Sequence, residues 1–214
     1  MPDIPLLYVL DDAANCAMVG EDGRPVPGRG PSLSTNDYVN SPLKFAGIFS
    51  PEECGRIVAL GQKLALEAGE MVSPRQDYRK ASIAWIWRKP EYNWLFERLA
   101  TLAGQVNRFY RFDCRGFMDA LQFTQYEVGD AFDWHVDCGE GPSSTRKISI
   151  SIQLSDPHDY DGGGLEFVTR GELPMARIQG TVIAFPSYIC HRVMPITRGT
   201  RKALVAWVSG PPFR

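Results

Sequence analysis

The sequence lacks several features that would place it in a class at once. Its five cysteines are odd in number and form no CxxC pair, so we expect reduced thiols in a cytoplasmic protein. No apolar run approaches the roughly 20 residues of a membrane span, and no basic stretch of the signal-peptide type opens the sequence. A net charge of −2 and a pI near 5.9 give no reason to expect a nucleic-acid partner.

Turn residues and apolar spacing predict a loop-rich N-terminal arm followed by one domain. The arm, residues 1–40, is rich in Gly, Pro, Asn and Asp, and is either a lid over a pocket or a surface tail. Residues 41–214 are expected to form the domain, with a core at about 117–210. Helices are predicted from Ser50 to about Gly69 and over 91–109, with a strand between them at 81–88.

Short strands separated by turns follow the helices. We expect them near 118–127, 131–137, 146–154, 164–168, 181–185, 189–194 and 201–208. Helices first and about seven or eight strands afterwards favour an α+β fold. The predicted core is a double-stranded β-helix, the jelly-roll of the cupin type, flanked by N-terminal helices.

Two of only three histidines lie in a pattern typical of a metal site. His135 and Asp137 are two residues apart on a predicted strand and should face the same way, and His191 follows 54 residues after Asp137. Two imidazoles and one carboxylate suit Fe(II) and leave coordination sites open for a 2-oxo acid and dioxygen. Arg201, ten residues further on, can pair with the distal carboxylate of 2-oxoglutarate. His158 lies in a predicted turn and should be exposed and inert.

These residues are set in segments that resemble the prolyl-4-hydroxylase-like, PKHD-type branch of the Fe(II)/2-oxoglutarate dioxygenases. The segments are 126–137 (YEVGDAFDWHVD), 146–149 (RKIS), 153–157 (QLSDP), 159–167 (DYDGGGLEF) and 185–201 (FPSYICHRVMPITRGTR), with Trp207 beyond. The helix that begins at Ser50 is similar to one that often precedes this family's core.

The resemblance implies a role for each matching residue. His135, Asp137 and His191 would bind iron, and Arg201 would hold 2-oxoglutarate. Tyr126 matches a tyrosine that helps to hold this cosubstrate. Gln153 stands where several relatives have a second tyrosine on the same carboxylate. Trp207 matches an aromatic residue of the barrel core, which indicates packing.

The resemblance also implies a reaction. The cofactors would be Fe(II), 2-oxoglutarate and O2, with ascorbate as reductant, and the coproducts succinate and CO2. Halogenases on this fold replace the metal-binding carboxylate with a small residue, so Asp137 implies hydroxylation of an amino-acid-like, peptidyl (prolyl included) or small-molecule substrate. The nucleic-acid demethylase branch typically has a second arginine where this chain has Trp207, which argues against membership of that branch. The alternatives are a non-catalytic cupin-like metal or 2-oxoglutarate sensor and an interaction module that docks a partner through its N-terminal arm.

Several other residues allow two interpretations. The carboxylate of Asp133 can meet the substrate or stay solvated. For Arg146 a salt bridge is favoured over substrate binding. Trp85 and Trp87 share a strand face, and an aromatic core is favoured over a pocket wall. Cys138 and Cys190 are next in sequence to the candidate metal ligands Asp137 and His191. We expect both to be buried thiols turned away from the metal.

Overall fold

The computed structural model describes residues 3–5, 8–10, 16–18, 32–34, 36, 38–64, 67–68, 79–168, 171–172 and 176–213. The chain divides into two compact units, Met1–Asp37 and Tyr38–Arg214. The first contains β1 (Asp3–Pro5), β2 (Tyr8–Leu10), β3 (Cys16–Met18) and β4 (Ser32–Ser34). These strands form two antiparallel pairs, β1 with β4 and β2 with β3. Most of the predicted arm lies outside the described residues.

The second unit contains the two helices and the remaining strands. The helices are α1 (Pro51–Lys63) and α2 (Asn93–Tyr110). The strands are β5 (Leu43–Phe45), β6 (Glu67–Ala68), β7 (Arg79–Lys80), β8 (Ser82–Ile86), β9 (Gly116–Phe117), β10 (Leu121–Tyr126), β11 (Ala131–His135), β12 (Arg146–Gln153), β13 (Tyr160–Gly162), β14 (Leu165–Phe167), β15 (Gly171–Glu172), β16 (Val182–Pro186), β17 (His191–Val193), β18 (Ile196–Gly199) and β19 (Arg201–Ser209).

Two antiparallel sheets form the body of this unit. The larger sheet has the order β5-β16-β12-β19-β10-β8-β6, with β9 added beside β19. The smaller sheet has the order β15-β14-β17-β11-β7, and β13 and β18 form a separate pair. No helix in the described part of the chain is long and apolar enough to cross a membrane.

The alternation of side chains along the large sheet separates the core from a polar interior. On β12, Ile148, Ile150 and Ile152 are fully buried and belong to the same apolar cluster as Leu95 and Leu99 of α2. The intervening residues point to the opposite face of the sheet, as the period of two requires. That face carries polar side chains, which are Ser149, Ser151 and Gln153. The helices therefore cover one face of the sheet and leave the other to a site.

Helix α1 begins at a capping box and packs closely against β10. Ser50 accepts a hydrogen bond from the Glu53 amide, and the Glu53 carboxylate accepts one from the Ser50 amide. Where α1 crosses β10, a Cβ atom added at Gly61 would lie 2.3 Å from the Phe123 ring. The absence of a side chain at Gly61 thus sets the distance between helix and sheet.

Gly61→Ala is expected to lower the free energy of unfolding by about 1–3 kcal/mol, the usual cost of overpacking a core. Gly55→Ala is the matched control on the same helix, because an added Cβ there meets nothing within 4 Å. The control should be neutral or stabilise by roughly 0.5–1 kcal/mol. Urea unfolding of both variants measures the difference, and equal midpoints would contradict the close packing of α1.

The first helix is shorter than the sequence predicts. The first helix ends at Lys63, and Leu64 caps it in an extended conformation, so the prediction that it runs to about Gly69 is wrong. The reason is tertiary: Glu67 and Ala68 pair with Ile83 and Ser82 as an edge strand of the large sheet.

The predicted strand 81–88 corresponds to β8, which is shorter, and a separate short strand, β7, precedes it in the chain and belongs to the other sheet. Strand β8 joins the large sheet, whereas β7 joins the small one through the pairing of Arg79 with Phe132. The chain therefore crosses from one sheet to the other between Lys80 and Ser82. This crossing places Arg79 between the sheets.

Candidate metal centre and cosubstrate pocket

His135, Asp137 and His191 converge on one point between the two sheets. One ligand atom from each residue lies within 4.8 Å of the others. The His135 Nε2 atom is 3.7 Å from Asp137 Oδ1, and the His191 Nε2 atom is 3.8 Å from Asp137 Oδ2. Strand pairing holds the two imidazoles together, because His135 of β11 is directly opposite His191 of β17. The predicted triad is therefore assembled in space.

Both imidazoles are oriented by backbone carbonyls. The Nδ1 atoms of His135 and His191 lie 2.7 Å and 2.9 Å from the carbonyl oxygens of Asp133 and Ile189. A carbonyl can only accept, so each Nδ1 must carry the hydrogen and donate it. The Nε2 lone pairs then remain for a metal, which is the usual arrangement of metal-binding histidines.

Asp137 reaches the site from beyond the end of its strand. Strand β11 ends at His135, so the prediction of a strand through residue 137 is wrong. The amides of Asp137 and Cys138 both donate to the Ser187 carbonyl, and this turn points the carboxylate at the imidazoles. The Ser149 hydroxyl donates to Asp137 Oδ2 at 2.5 Å and leaves Oδ1 for a metal.

The electrostatics of His135 and Asp137 favour their metal-binding forms. Burial, followed by the neighbouring His191, lowers the pKa of His135 to about 4, so its imidazole is neutral at physiological pH. Burial alone would raise the pKa of Asp137. The two histidines, Ser149 and Trp207 outweigh it and hold that pKa below its usual value. A neutral imidazole beside an ionised carboxylate is the donor set that a divalent ion requires.

Metal-free protein is expected to lose stability as the pH falls from about 6.5 to about 4. In this window the unfolded chain protonates His135, whose ordinary pKa is 6.5, while the folded chain keeps it neutral down to about pH 4. The unfolded state then binds more protons, so acid favours unfolding. Urea unfolding in a chelator at several pH values measures this, and His135→Gln should show a shallower dependence. The same slope in both proteins would contradict the lowered pKa.

Ser149→Ala is expected to weaken metal binding by roughly 10–100-fold, the usual effect of removing a group that orients a ligand. Ser187→Ala provides a graded comparison. The Ser187 hydroxyl lies 3.0 Å from that of Ser149, which in turn donates to the Asp137 carboxylate. Titration with Mn(II) measures both affinities. An effect of Ser187→Ala as large as that of Ser149→Ala would show that the contact between Ser149 and Asp137 is not the cause.

A cavity of about 970 Å³ opens beside the triad. Alternate residues of the large sheet form one wall, and they are Gln122, Thr124 and Tyr126 of β10 and Arg201, Ala203, Val205 and Trp207 of β19. The small sheet contributes Phe132 with the two metal-site histidines. The cavity has the size of a small-molecule site and is large enough for a cosubstrate and a small substrate together.

Arg201 lies where this cavity meets a second, smaller chamber. The residue is buried, its Nε donates to Gln153 Oε1 at 3.1 Å, and its guanidinium lies 5.6 Å from the centre of the Tyr126 ring. Tyr126 is paired with Arg201 across the strands, and burial raises the pKa of its phenol, which keeps the hydroxyl protonated. The structure thus brings Tyr126 and Gln153 to Arg201, although their predicted contact with a cosubstrate stays a prediction.

The small chamber contains polar atoms that the sequence did not indicate. The hydroxyls of Tyr160 and Thr181 line it together with Arg201, and both are buried without a hydrogen-bond partner among the residues that the structure describes. Buried polar atoms of this kind are costly unless something binds them. The chamber therefore offers two hydroxyls and a cation to one end of an anionic ligand.

Trp207 packs as predicted and also forms part of the cavity wall. Its ring centre lies 6.3 Å from that of Trp85 and 3.8 Å from the Arg146 guanidinium. Arg146 makes the predicted salt bridge, with Asp119 at 3.0 Å, and lines the cavity as well. Trp85 is a cavity residue, whereas Trp87 is 64% exposed, so the preference for a shared aromatic core was wrong. The strand pattern could not show that β8 ends at Ile86, just before Trp87.

The remaining residues of the sequence analysis lie outside the metal site. His158 is exposed and paired with Asp156, as expected for an inert turn residue. The Asp133 side chain is exposed and accepts from the Trp134 amide, so only its backbone carbonyl serves the site. Cys138 and Cys190 are half-buried, which corrects the expectation of buried thiols, and Cys190 lines the cavity.

Known proteins are similar to this chain over the segment that contains His135, Asp137 and His191. Residues 121–209 match the model of the 2OG-Fe(II) oxygenase superfamily. A PKHD-type hydroxylase from Thermosynechococcus vestitus is 40% identical over 93 residues, which cover 41% of this chain and 42% of that protein. The chain thus matches about two fifths of the length of its curated relatives.

Solved structures share the fold at low sequence identity. A Pseudomonas putida prolyl-4-hydroxylase has a TM-score of 0.64 and 20% identity, covering 80% of this chain and 93% of that one. A prolyl hydroxylase from Trichoplax adhaerens, in complex with a hypoxia inducible factor oxygen degradation domain peptide fragment, has a TM-score of 0.65 and 18% identity, covering 79% and 84%. The α+β fold with a double-stranded β-helix core is thereby confirmed.

In sequence and in fold, residues 121–209 are therefore similar to the 2OG-Fe(II) oxygenase superfamily. Within that superfamily the resemblance to the prolyl-4-hydroxylase-like, PKHD-type branch is confirmed by the curated relatives and the solved structures.

Proposed function

We propose that this protein is an Fe(II)- and 2-oxoglutarate-dependent dioxygenase that hydroxylates an unactivated C–H bond. The substrate class is amino-acid-like, peptidyl or a small molecule. The observation that carries the proposal is the convergence of His135, Asp137 and His191 at a cavity that ends at the buried Arg201. Bound Fe(II), 2-oxoglutarate and O2 supply the oxidation, with succinate and CO2 as coproducts.

Each residue of the chain has a separate task in this reaction. His135 and His191 would offer Nε2 lone pairs and Asp137 an ionised oxygen to the metal. Arg201 would pair with the distal carboxylate of 2-oxoglutarate, because a planar guanidinium matches a carboxylate with two parallel hydrogen bonds. Tyr126, whose hydroxyl stays protonated, can donate to the same molecule. In the small chamber, the hydroxyls of Tyr160 and Thr181 would be two further donors.

The proposal includes the reductant, the cellular location and the kind of substrate. Ascorbate would keep the metal reduced between turnovers. A cytoplasmic location is supported by the free cysteines of the described chain, Cys54, Cys114, Cys138 and Cys190. Net acidity supports a substrate other than nucleic acid.

Release of succinate from 2-oxoglutarate tests this proposal. Wild-type protein with Fe(II), 2-oxoglutarate, O2 and ascorbate should form succinate, slowly without substrate and faster with it. Omission of Fe(II), or the variant His135→Ala, should reduce succinate to the background of free iron. Tight binding of Fe(II) and 2-oxoglutarate without any succinate, in the presence of a broad panel of amino acids and peptides, would instead favour a non-catalytic sensor.

A further inference from the structure

Arg79 is a half-buried cation that the proposed chemistry does not use. It lies on β7, opposite Phe132 of β11, and its side chain lines the large cavity together with the metal triad. The guanidinium carbon is 4.9 Å from the centre of the Phe132 ring. The Nε and Nη2 atoms are shielded from solvent and have no hydrogen-bond partner among the residues described in the structure.

Two shielded nitrogens of Arg79 without a hydrogen-bond partner are costly, so their persistence needs a reason. Desolvation of a charge costs several kcal/mol unless an anion compensates it. Burial accordingly lowers the pKa of Arg79, and the neighbouring Tyr126 and Asp137 only partly counteract it. The other two arginines of the cavity have partners, since Arg146 pairs with Asp119 and Arg201 donates to Gln153. At its Nε and Nη2 atoms, Arg79 has no such partner among the residues that the structure describes.

The charge balance of the site with Fe(II) and 2-oxoglutarate bound also favours an anionic partner for Arg79. Divalent iron and dianionic 2-oxoglutarate cancel each other, and the Asp137 carboxylate cancels Arg201. One positive charge, that of Arg79, remains in the buried part of the cavity. Glu140 lines the mouth but is exposed, where water screens its charge. A ligand that brings one further negative charge would neutralise the site.

The position of Arg79 separates it from the cosubstrate end. Arg201 lines both the large cavity and the small chamber, whereas Arg79 lines only the large cavity. The wall around that cavity is largely apolar and aromatic, and it includes Trp85, Val193 and Val205. The cavity therefore combines one cation with surfaces suited to a hydrocarbon body.

We propose that Arg79 recognises a carboxylate of the substrate, so that the cavity selects small free carboxylic acids over neutral peptide-like molecules. The proposal rests on the proposed function and narrows its substrate class. The Arg79 fork holds the carboxylate, and the apolar wall holds the body of the molecule beside the metal. In this role Arg79 is a specificity-determining residue and takes no part in the oxidation.

Matched pairs of probes test the proposal without a known substrate. N-acetyl-L-proline, N-acetyl-L-leucine and 3-phenylpropanoic acid are each compared with their primary amides, which remove the charge and keep the shape. Binding to protein loaded with Fe(II) and 2-oxoglutarate under argon is followed by tryptophan fluorescence, because Trp85 and Trp207 line the cavity. This readout needs no turnover.

At least one acid should bind wild type on the order of tenfold more tightly than its amide, as a charge-assisted bidentate contact requires. Arg79→Gln should lose that preference while the affinity for 2-oxoglutarate stays within about twofold. Arg79→Lys should keep part of it, because a point charge remains without the fork. Lys80→Gln is the matched control on the same strand, since the Lys80 side chain is 76% exposed, and it should bind as wild type does.

Three results would overturn the proposal. Wild type that binds no acid better than its amide has no carboxylate selectivity. A loss of 2-oxoglutarate affinity in Arg79→Gln would assign Arg79 to the cosubstrate. An equal loss of acid and amide binding in Arg79→Gln would make its role structural. Absence of succinate release alongside acid selectivity would refute the proposed function alone, and the two failures are therefore distinguishable.

Discussion

Replacing His191 by alanine is expected to abolish iron-dependent turnover and leave the protein folded. The Nε2 atom of His191 is one of three donors aimed at a single point, and its Nδ1 is held by the Ile189 carbonyl. A site left with one imidazole and one carboxylate loses affinity and the correct geometry for Fe(II). Succinate formation should fall to background, whereas the far-UV circular dichroism spectrum should match that of wild type.

The third histidine of the chain provides the control. His158→Ala removes an imidazole that is 92% exposed and paired only with Asp156 in a turn. It should retain wild-type turnover and wild-type iron binding. Full activity of His191→Ala would refute the metal site, and an equal loss in His158→Ala would trace the effect to something other than coordination.

Arg201→Ala is expected to weaken 2-oxoglutarate binding by about 2–5 kcal/mol, the cost of removing one partner of a buried, hydrogen-bonded charge pair. This corresponds to roughly 30-fold to several thousandfold in the dissociation constant. Iron affinity should change little, because Arg201 donates to Gln153 and belongs to a different strand from the metal ligands. Calorimetric titration with 2-oxoglutarate in the presence of Mn(II) measures the change.

Two variants make this result specific. Arg201→Lys keeps the charge without the planar fork and should recover part of the affinity. Arg198→Ala removes an exposed arginine of the preceding strand, which pairs with Asp161, and should bind 2-oxoglutarate as wild type does. Equal affinities of wild type and Arg201→Ala would show that the carboxylate binds elsewhere.

The metal site could be predicted because its residues are rare and its spacing is regular. Three histidines occur in the chain, and two of them lie on neighbouring strands directly opposite each other. The family resemblance predicted Tyr126, and the pairing of β10 with β19 places it opposite Arg201. Asp137 lies on a turn and not on the predicted strand. Its carboxylate still reaches the two histidines, because the Ser187 carbonyl holds the turn.

The surroundings of the metal site could be predicted only in part. The position of Ser149 could have been predicted from the sequence. Serine and glutamine alternate with three isoleucines along β12, which places the polar side chains on the face opposite the core. Arg79 had none. Its position depends on the chain changing from one sheet to the other between β7 and β8, a tertiary event that no local pattern shows. The tryptophan pair was predicted wrongly for another reason, because β8 ends at Ile86 and leaves Trp85 in the cavity and Trp87 in solvent.

An anaerobic titration with Fe(II) and 2-oxoglutarate tests the metal centre most directly. A 2-oxo acid that chelates Fe(II) through its carboxylate and oxo group produces a visible metal-to-ligand charge-transfer band. Wild-type protein should develop this band with an endpoint of one Fe(II) per chain. His191→Ala should show none at the same concentrations. A wild-type protein without the band, or a His191→Ala variant that develops it fully, would contradict the assignment of His135, Asp137 and His191 as the iron ligands.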